Sequence, residues 1–160
     1  VHVRMELSRI LIREFDDYQI IELREMAADD ATHASEGSPQ MESIDAQSAN
    51  YRSFPIVIGL PEAQAIERRL KGITIKRPQT HDLLANVVDG LGAKLESITI
   101  TDLTDATFFA TLDLRKENGE QVHIDSRPSD AIAMGIAQGV AIYVAEHVLN
   151  AASKEDPETE

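Results

Sequence analysis

The chain has no cysteine and no tryptophan, only seven other aromatic residues, and 15 basic side chains against 28 acidic ones. Each shortage excludes something. Without thiols there is no disulfide framework and no thiolate metal site. That composition fits a reducing compartment. So few aromatics leave scarce platforms on which single-stranded bases can stack. No apolar run approaches the ~18–20 residues that a membrane-spanning helix needs, and no basic segment followed by an apolar stretch opens the chain. A cytoplasmic protein with no membrane partner is the expectation. A glycine-rich phosphate loop, a paired-histidine zinc helix and a serine elbow are also missing.

The shortage of positive charge bears directly on partners. A formal net charge of −13 repels nucleic-acid phosphates at long range. The excess is unevenly placed. Residues 27–53 hold five acids against Arg52, and residues 151–160 hold four against Lys154. In these two segments only Met41, Ile44 and Tyr51 are large and apolar, too few to offset the ordering entropy. Residues 27–53 read as a flexible insertion and 151–160 as an acidic disordered tail. Residues 1–4, ahead of Met5, read as an N-terminal extension, leaving one domain over 5–150.

What is present is an ordinary globular inventory, 160 residues with 42% hydrophobic and 27% charged. Residues 5–13 and 19–26 predict a hairpin, with a bulge near Ser8–Arg9 where the apolar phase changes. Phe54–Ile58 is continuously apolar and predicts a strand buried on both faces. Pro61 and Glu62 open a first helix, which Gly72 closes. Thr80 caps a second, with Leu83, Leu84, Val87, Val88 and Leu91 at helical spacing. A meander follows through Ile98, Ile100, Phe108–Arg115, the Asn118–Gly119 turn and Val122–Ile124. Ser129 caps a third helix, Asp130–Gln138, apolar nearly all round and therefore buried in the domain or at a subunit interface. Val140–Val144 predicts a last buried strand. The fold class is α+β: a mainly antiparallel sheet, barrel-like in one arrangement, packed with three helices. Strand, turn, proline, acid and alanine-rich helix occur at Phe54–Ala63 and again at Val122–Ala131. Either a duplicated strand–helix–strand unit or shared helix-capping grammar produces that echo.

The chemistry-bearing residues gather at the three helix starts. Arg77, Thr80, His81 and Asp82 put a guanidinium, backbone N–H groups, an imidazole and a carboxylate within six positions. Asp125, Arg127, Ser129 and Asp130 repeat the idea, and Glu62 adds an acid at the remaining start. Helix N-termini attract anions, and arginine can fork onto phosphate. Imidazole can move a proton, and carboxylates can hold a divalent metal. Converged, these groups suit phosphodiester hydrolysis by metal-bound water. The roles assigned are catalytic for His81, Asp82, Asp125 and Asp130, and phosphate-binding for Arg77, Thr80, Arg127 and Ser129. Glu62, Asp82, Asp125 and Asp130 are the metal candidates, with Mg or Mn as the ion. The same residue types also serve as plain helix caps and ion pairs.

Several phrases in fixed order resemble the bifunctional nuclease domain family: Met5–Ser8, Phe54–Gly59, Glu62–Ile66, Arg77–Leu84 and Asp125–Ala133. The similarity spans about residues 5–150. It implies an α+β fold around a mainly antiparallel sheet, a homodimer or higher homo-oligomer, and nuclease activity on DNA, RNA or both. The family joins its second strand to the Phe54 strand by a short turn, where this chain carries residues 27–53. The alternative from another class is a non-catalytic oligomeric regulatory module, or one that binds a phosphorylated ligand at the helix starts.

Overall fold

The computed structural model describes residues 1–13, 15–26 and 51–153. The expectations for the bulk of the insertion (27–50) and for 154–160 lie outside these residues. Among the described residues, seven strands form one sheet: β1 (His2–Leu11), β2 (Gln19–Glu25), β3 (Ser53–Ile58), β4 (Lys94–Thr104), β5 (Thr107–Arg115), β6 (Gln121–Ser126) and β7 (Ala141–Ala145). Four helices among the same residues accompany it: α1 (Leu60–Leu70), α2 (Thr80–Gly90), α3 (Pro128–Gln138) and α4 (Glu146–Ala152). Strand order is β3-β2-β1-β7-β4-β5-β6. Neighbours pair antiparallel except β4 and β7, which are parallel. The sheet is open rather than closed into a barrel, so β3 and β6 are its free edges.

The chain thus builds a three-stranded meander and a helix twice, as β1-β2-β3-α1 and β4-β5-β6-α3, with β7 inserted between the two meanders. The echo in the sequence falls on the two strand-to-helix junctions at the opposite sheet edges. Both helices carry proline in their first turn, where its missing N–H costs nothing and its fixed φ favours the helix. They pack on each other, and α3 lies over β4, β5 and β7.

One core joins the helices to one face of the sheet. Met5, Ile21, Leu23, Phe54, Ile66, Ile98, Ile100, Ile132, Met134 and Leu149 are fully or almost fully buried. Phe54 stacks on Phe108 with ring centroids 5.5 Å apart. Each such large apolar side chain contributes about 1.5–3 kcal/mol. Gly135 lets α3 settle close to β4, because an added Cβ there would stand 3.4 Å from Ile98. Gly139, at φ +65°, ends α3 in a left-handed turn.

Several local expectations change. β1 starts at His2, and His2–Met5 pair with Ile142–Ala145 of β7, so residues 2–4 belong to the sheet. The predicted bulge is present as a register shift between Leu7 and Arg9. β3 is buried on one face only: Phe54, Ile56 and Ile58 point inward, while Pro55 and Val57 face out. A continuous apolar run was read as two-sided burial, but β3 is an edge strand, where proline is tolerated. The N-cap of α2 is Gln79 rather than Thr80, and that of α3 is Arg127 rather than Ser129. A fourth helix, α4, covers Glu146–Ala152.

Helices α2 and α3 differ in how their apolar residues are used: α3 takes the first of its two expected settings, and α2 does not behave as its periodicity predicts. α3, apolar all round, is covered by its own domain, with Ala131–Gly135 buried. α2 has the apolar periodicity of a core helix, yet none of its residues is buried.

Candidate functional site

The start of α1 follows β3, the start of α3 follows β6, and α2 begins beside them. All three N-termini open into one cleft of about 640 Å³, lined by Glu62, Gln79, Thr80, His81, Asp125, Arg127 and Asp130 among others. Three helix N-termini put partial positive charge around it. This convergence is a product of the tertiary fold.

Inside the cleft the side chains form a chain of contacts. Arg127 donates from Nε to Oδ2 of Asp130 at 2.9 Å and from Nη2 to Oε1 of Glu62 at 3.0 Å. Nε2 of His81 lies 2.8 Å from the other oxygen of Asp130. Glu62 and His81 are well covered, with side chains 16% and 14% exposed, whereas Arg127 is 67% exposed. Hydrogen bonds to Asp130 and then Glu62 raise the pKa of Arg127, so it stays a cation. Gly59 makes room for this arrangement, since a Cβ there would collide with Oε2 of Glu62.

The remaining predicted residues are placed differently. Asp82 does not line the cleft. It accepts from Nη2 of Arg68 at 3.0 Å, from Nη2 of Arg69 at 2.8 Å and from the backbone N–H of Gln79 at 3.0 Å. It therefore closes the N-terminus of α2 and ties it to α1. Arg68 also donates to the side chain of Gln79. Arg68 and Arg69 have side chains only 13% and 8% exposed. Burial lowers the pKa of Arg69, opposed by Asp82. Ser129 is buried at the start of α3, and Arg77 is exposed ahead of α2; neither lines the cleft. Asp125 sits at the rim, opposite Thr111 on the ladder, and makes no side-chain hydrogen bond among the described residues.

The cleft does not present a metal-ligand set. Glu62 and Asp130 are both engaged by Arg127, Asp82 is committed to two arginines, and Asp125 stands apart. Among the described residues no group of three or more histidines and acids is arranged to hold an ion.

Sequence reasoning missed a second polar cluster, on the sheet face away from the helices. Asp113 accepts from Ser97 and Thr99 on Oδ2 at 2.8 and 2.7 Å, and from Thr111 on Oδ1 at 2.9 Å. Nδ1 of His123 stands 2.8 Å from the same Oδ1. The signal was available: alternation places all five residues on one face of β4, β5 and β6. Burial pushes the Asp113 pKa up, but the hydrogen bonds outweigh it and the net direction is down. A carboxyl depressed on folding contributes stability that is complete above its ordinary value of 3.8 and is lost as pH falls through the lowered folded value. We expect Asp113→Asn to lower stability at neutral pH and to flatten the acid-induced loss below about pH 4, read by circular dichroism across an acid series.

Fold and cleft together define an α+β domain with a pocket at three helix starts, lined by three carboxylates, one arginine and one histidine among the described residues. The chain belongs to the bifunctional nuclease domain family, whose sequence profile matches residues 45–157. β1 and β2 lie outside that match. Two uncharacterized proteins of Mycobacterium tuberculosis are each 40% identical over 98 residues, covering 61% of this chain and 57% of theirs. Bifunctional nuclease 2 of Arabidopsis thaliana is 26% identical over 97 residues, 59% of this chain and 30% of that protein. The chain therefore spans little more than half the length of the mycobacterial relatives. No helix among the described residues is long and apolar enough to cross a membrane.

Proposed function

We propose that the domain is a nuclease and that the cleft at the three helix starts hydrolyses phosphodiester bonds of DNA, RNA or both. The observation that carries this reading is the contact chain Glu62–Arg127–Asp130–His81 inside a cleft ringed by helix N-termini, in a chain of this family. Arg127 reaches out of the cleft and exchanges one carboxylate for a phosphate oxygen. The helix dipoles stabilise the charge that builds on the phosphate in the transition state. Asp130 holds Nε2 of His81, which leaves Nδ1 of the neutral ring to take a proton from the attacking oxygen. Glu62 keeps Arg127 aimed when no substrate is bound.

A divalent ion, Mg or Mn, belongs to the same proposal as an expectation from the sequence and has no assigned ligands. DNA or RNA as substrate, homo-oligomerisation and a cytoplasmic setting also belong to it. The test is a cleavage assay on single- and double-stranded DNA and RNA, with and without chelator, using wild type and Arg127→Ala purified side by side. Cleavage by wild type that the variant loses supports the site. Equal cleavage by both removes Arg127 from the chemistry. Absence of cleavage by either favours the phosphate-ligand module, in which the same cleft binds an anion without breaking it.

A further inference from the structure

The polar cluster on the sheet face away from the helices has no part in the proposed cleavage. Asp113 of β5 stands between Ser97 of β4 and His123 of β6 on the ladder, and Thr111 stands opposite Thr99. These side chains wall a cavity of about 360 Å³, which Tyr143, paired with Thr99, continues onto β7. The cluster is well covered for an open sheet face: Thr99 is 6% exposed and the Asp113 side chain 14%. Among the described residues His123 is the one ion-pair partner of Asp113. Arg115, two positions further along β5, is turned to Glu96 and to the carbonyl of Gly119.

Donor and acceptor roles follow from the carboxylate. Asp113 is ionised at neutral pH, and an ionised carboxylate only accepts. Ser97, Thr99 and Thr111 therefore each spend their one hydroxyl hydrogen on it, and Nδ1 of His123 spends its own. What the cluster keeps for the cavity is acceptors alone: three hydroxyl oxygens and Nε2 of the neutral ring. A hydroxyl that donates to a charge becomes a better acceptor. No lysine or arginine lines this cavity among the described residues, so the charge of Asp113 has no fixed cation against it.

We propose that the cavity binds a small aliphatic amine, its primary ammonium group seated on the hydroxyl oxygens of Ser97, Thr99 and Thr111 beside Nε2 of His123. An ammonium group has three donors and no acceptor, the complement of what the cluster offers. Glu96, engaged by Arg115 through one oxygen, also walls the cavity and favours an amine with a second cationic end. Phosphate and carboxylate ligands would meet only lone pairs and a like charge. A hard metal ion is a weaker occupant, since it takes carboxylate oxygens and both oxygens of Asp113 are filled. The nuclease reading is not needed for the proposal.

Calorimetric titration of the full chain with 1,4-diaminobutane tests it. Wild type should bind saturably. The fully N-methylated diamine carries the same charges without an N–H donor, and should bind about tenfold more weakly or worse, the worth of one hydrogen bond to a charged group. Asp113→Asn should weaken diamine binding to a similar degree. His123→Lys, at a side chain 61% exposed, tethers an ammonium in the cavity and should abolish binding; it keeps the test decisive where Asp113→Asn folds poorly. Asp17→Asn makes the same change in net charge at an exposed site and should bind as wild type does. A wild type that takes up no diamine overturns the proposal, as does a His123→Lys protein that binds undiminished. Equal binding of the methylated diamine, or equal weakening by His123→Lys and Asp17→Asn, also overturns it, because attraction to the net charge of −13 would then account for the uptake.

Discussion

Replacing Asp82 by alanine should lower the stability of the domain by about 3 kcal/mol, the cost of breaking a buried ion pair from one side. For a chain of this size that corresponds to a fall of roughly 6–12 °C in Tm. The reason is the company Asp82 keeps. Arg68 and Arg69 are almost covered, and both point one Nη2 at this single carboxylate. Nη1 of Arg69 is already buried without a hydrogen-bond partner among the described residues. With Asp82 gone, two adjacent guanidinium groups would face each other with no counter-charge. Helix α2, which buries none of its residues, would lose its main tether to α1. Thermal denaturation of Asp82→Ala and Asp82→Asn measures this. The asparagine variant should recover part of the loss, since its amide oxygen can still accept from Gln79 or an arginine. A melting curve unchanged in Asp82→Ala would mean that the arginines find other partners and that α2 is held in another way.

The opposite pattern is expected at His81. Its replacement by alanine should reduce cleavage by about 10²–10⁴-fold, the usual contribution of a positioned acid–base group. The stability cost should be only about 1 kcal/mol, that of one hydrogen bond. The asymmetry follows from the geometry. Asp130 keeps Arg127 as a partner when the imidazole leaves, so no charge is stranded. Proton transfer, in contrast, has no substitute, because no other histidine among the described residues lines the cleft. Measured together, the two variants separate the roles that the sequence assigned jointly to His81 and Asp82. A His81→Ala protein that cleaves as wild type does would move the chemistry elsewhere on the domain. Parallel loss of folding in both variants would mean that His81 too is a structural pin.

Local pattern carried most of the secondary structure. Alternation marked β5 and β6, proline and acid marked the starts of α1 and α3, and the phase change before Ile10 marked the bulge in β1. These are readable because a strand has period two and a helix 3.6 whatever surrounds it. Errors arose where a pattern is compatible with two environments. The apolar run of β3 is equally natural in a central strand, and only its place in the strand order leaves Val57 outside. The periodicity of α2 is that of a core helix, but what covers an apolar stripe is a property of the neighbours. The cap of α2 was misplaced by one residue because Gln79 and Asp82 close it reciprocally, where a lone threonine was the simpler reading.

By itself the sequence determined the family, the α+β class and the residue types gathered at three helix starts, because those depend on local order along the chain. Tertiary structure decided which of these residues meet. Glu62 and His81, 19 positions apart in sequence, both reach the Arg127–Asp130 pair, while Asp82, adjacent to His81, turns to the arginines of α1. The physical reason is the helix itself: successive side chains point about 100° apart around the axis, so neighbours in sequence look at different surroundings, and only the packing of α1, α2 and α3 determines what those surroundings contain.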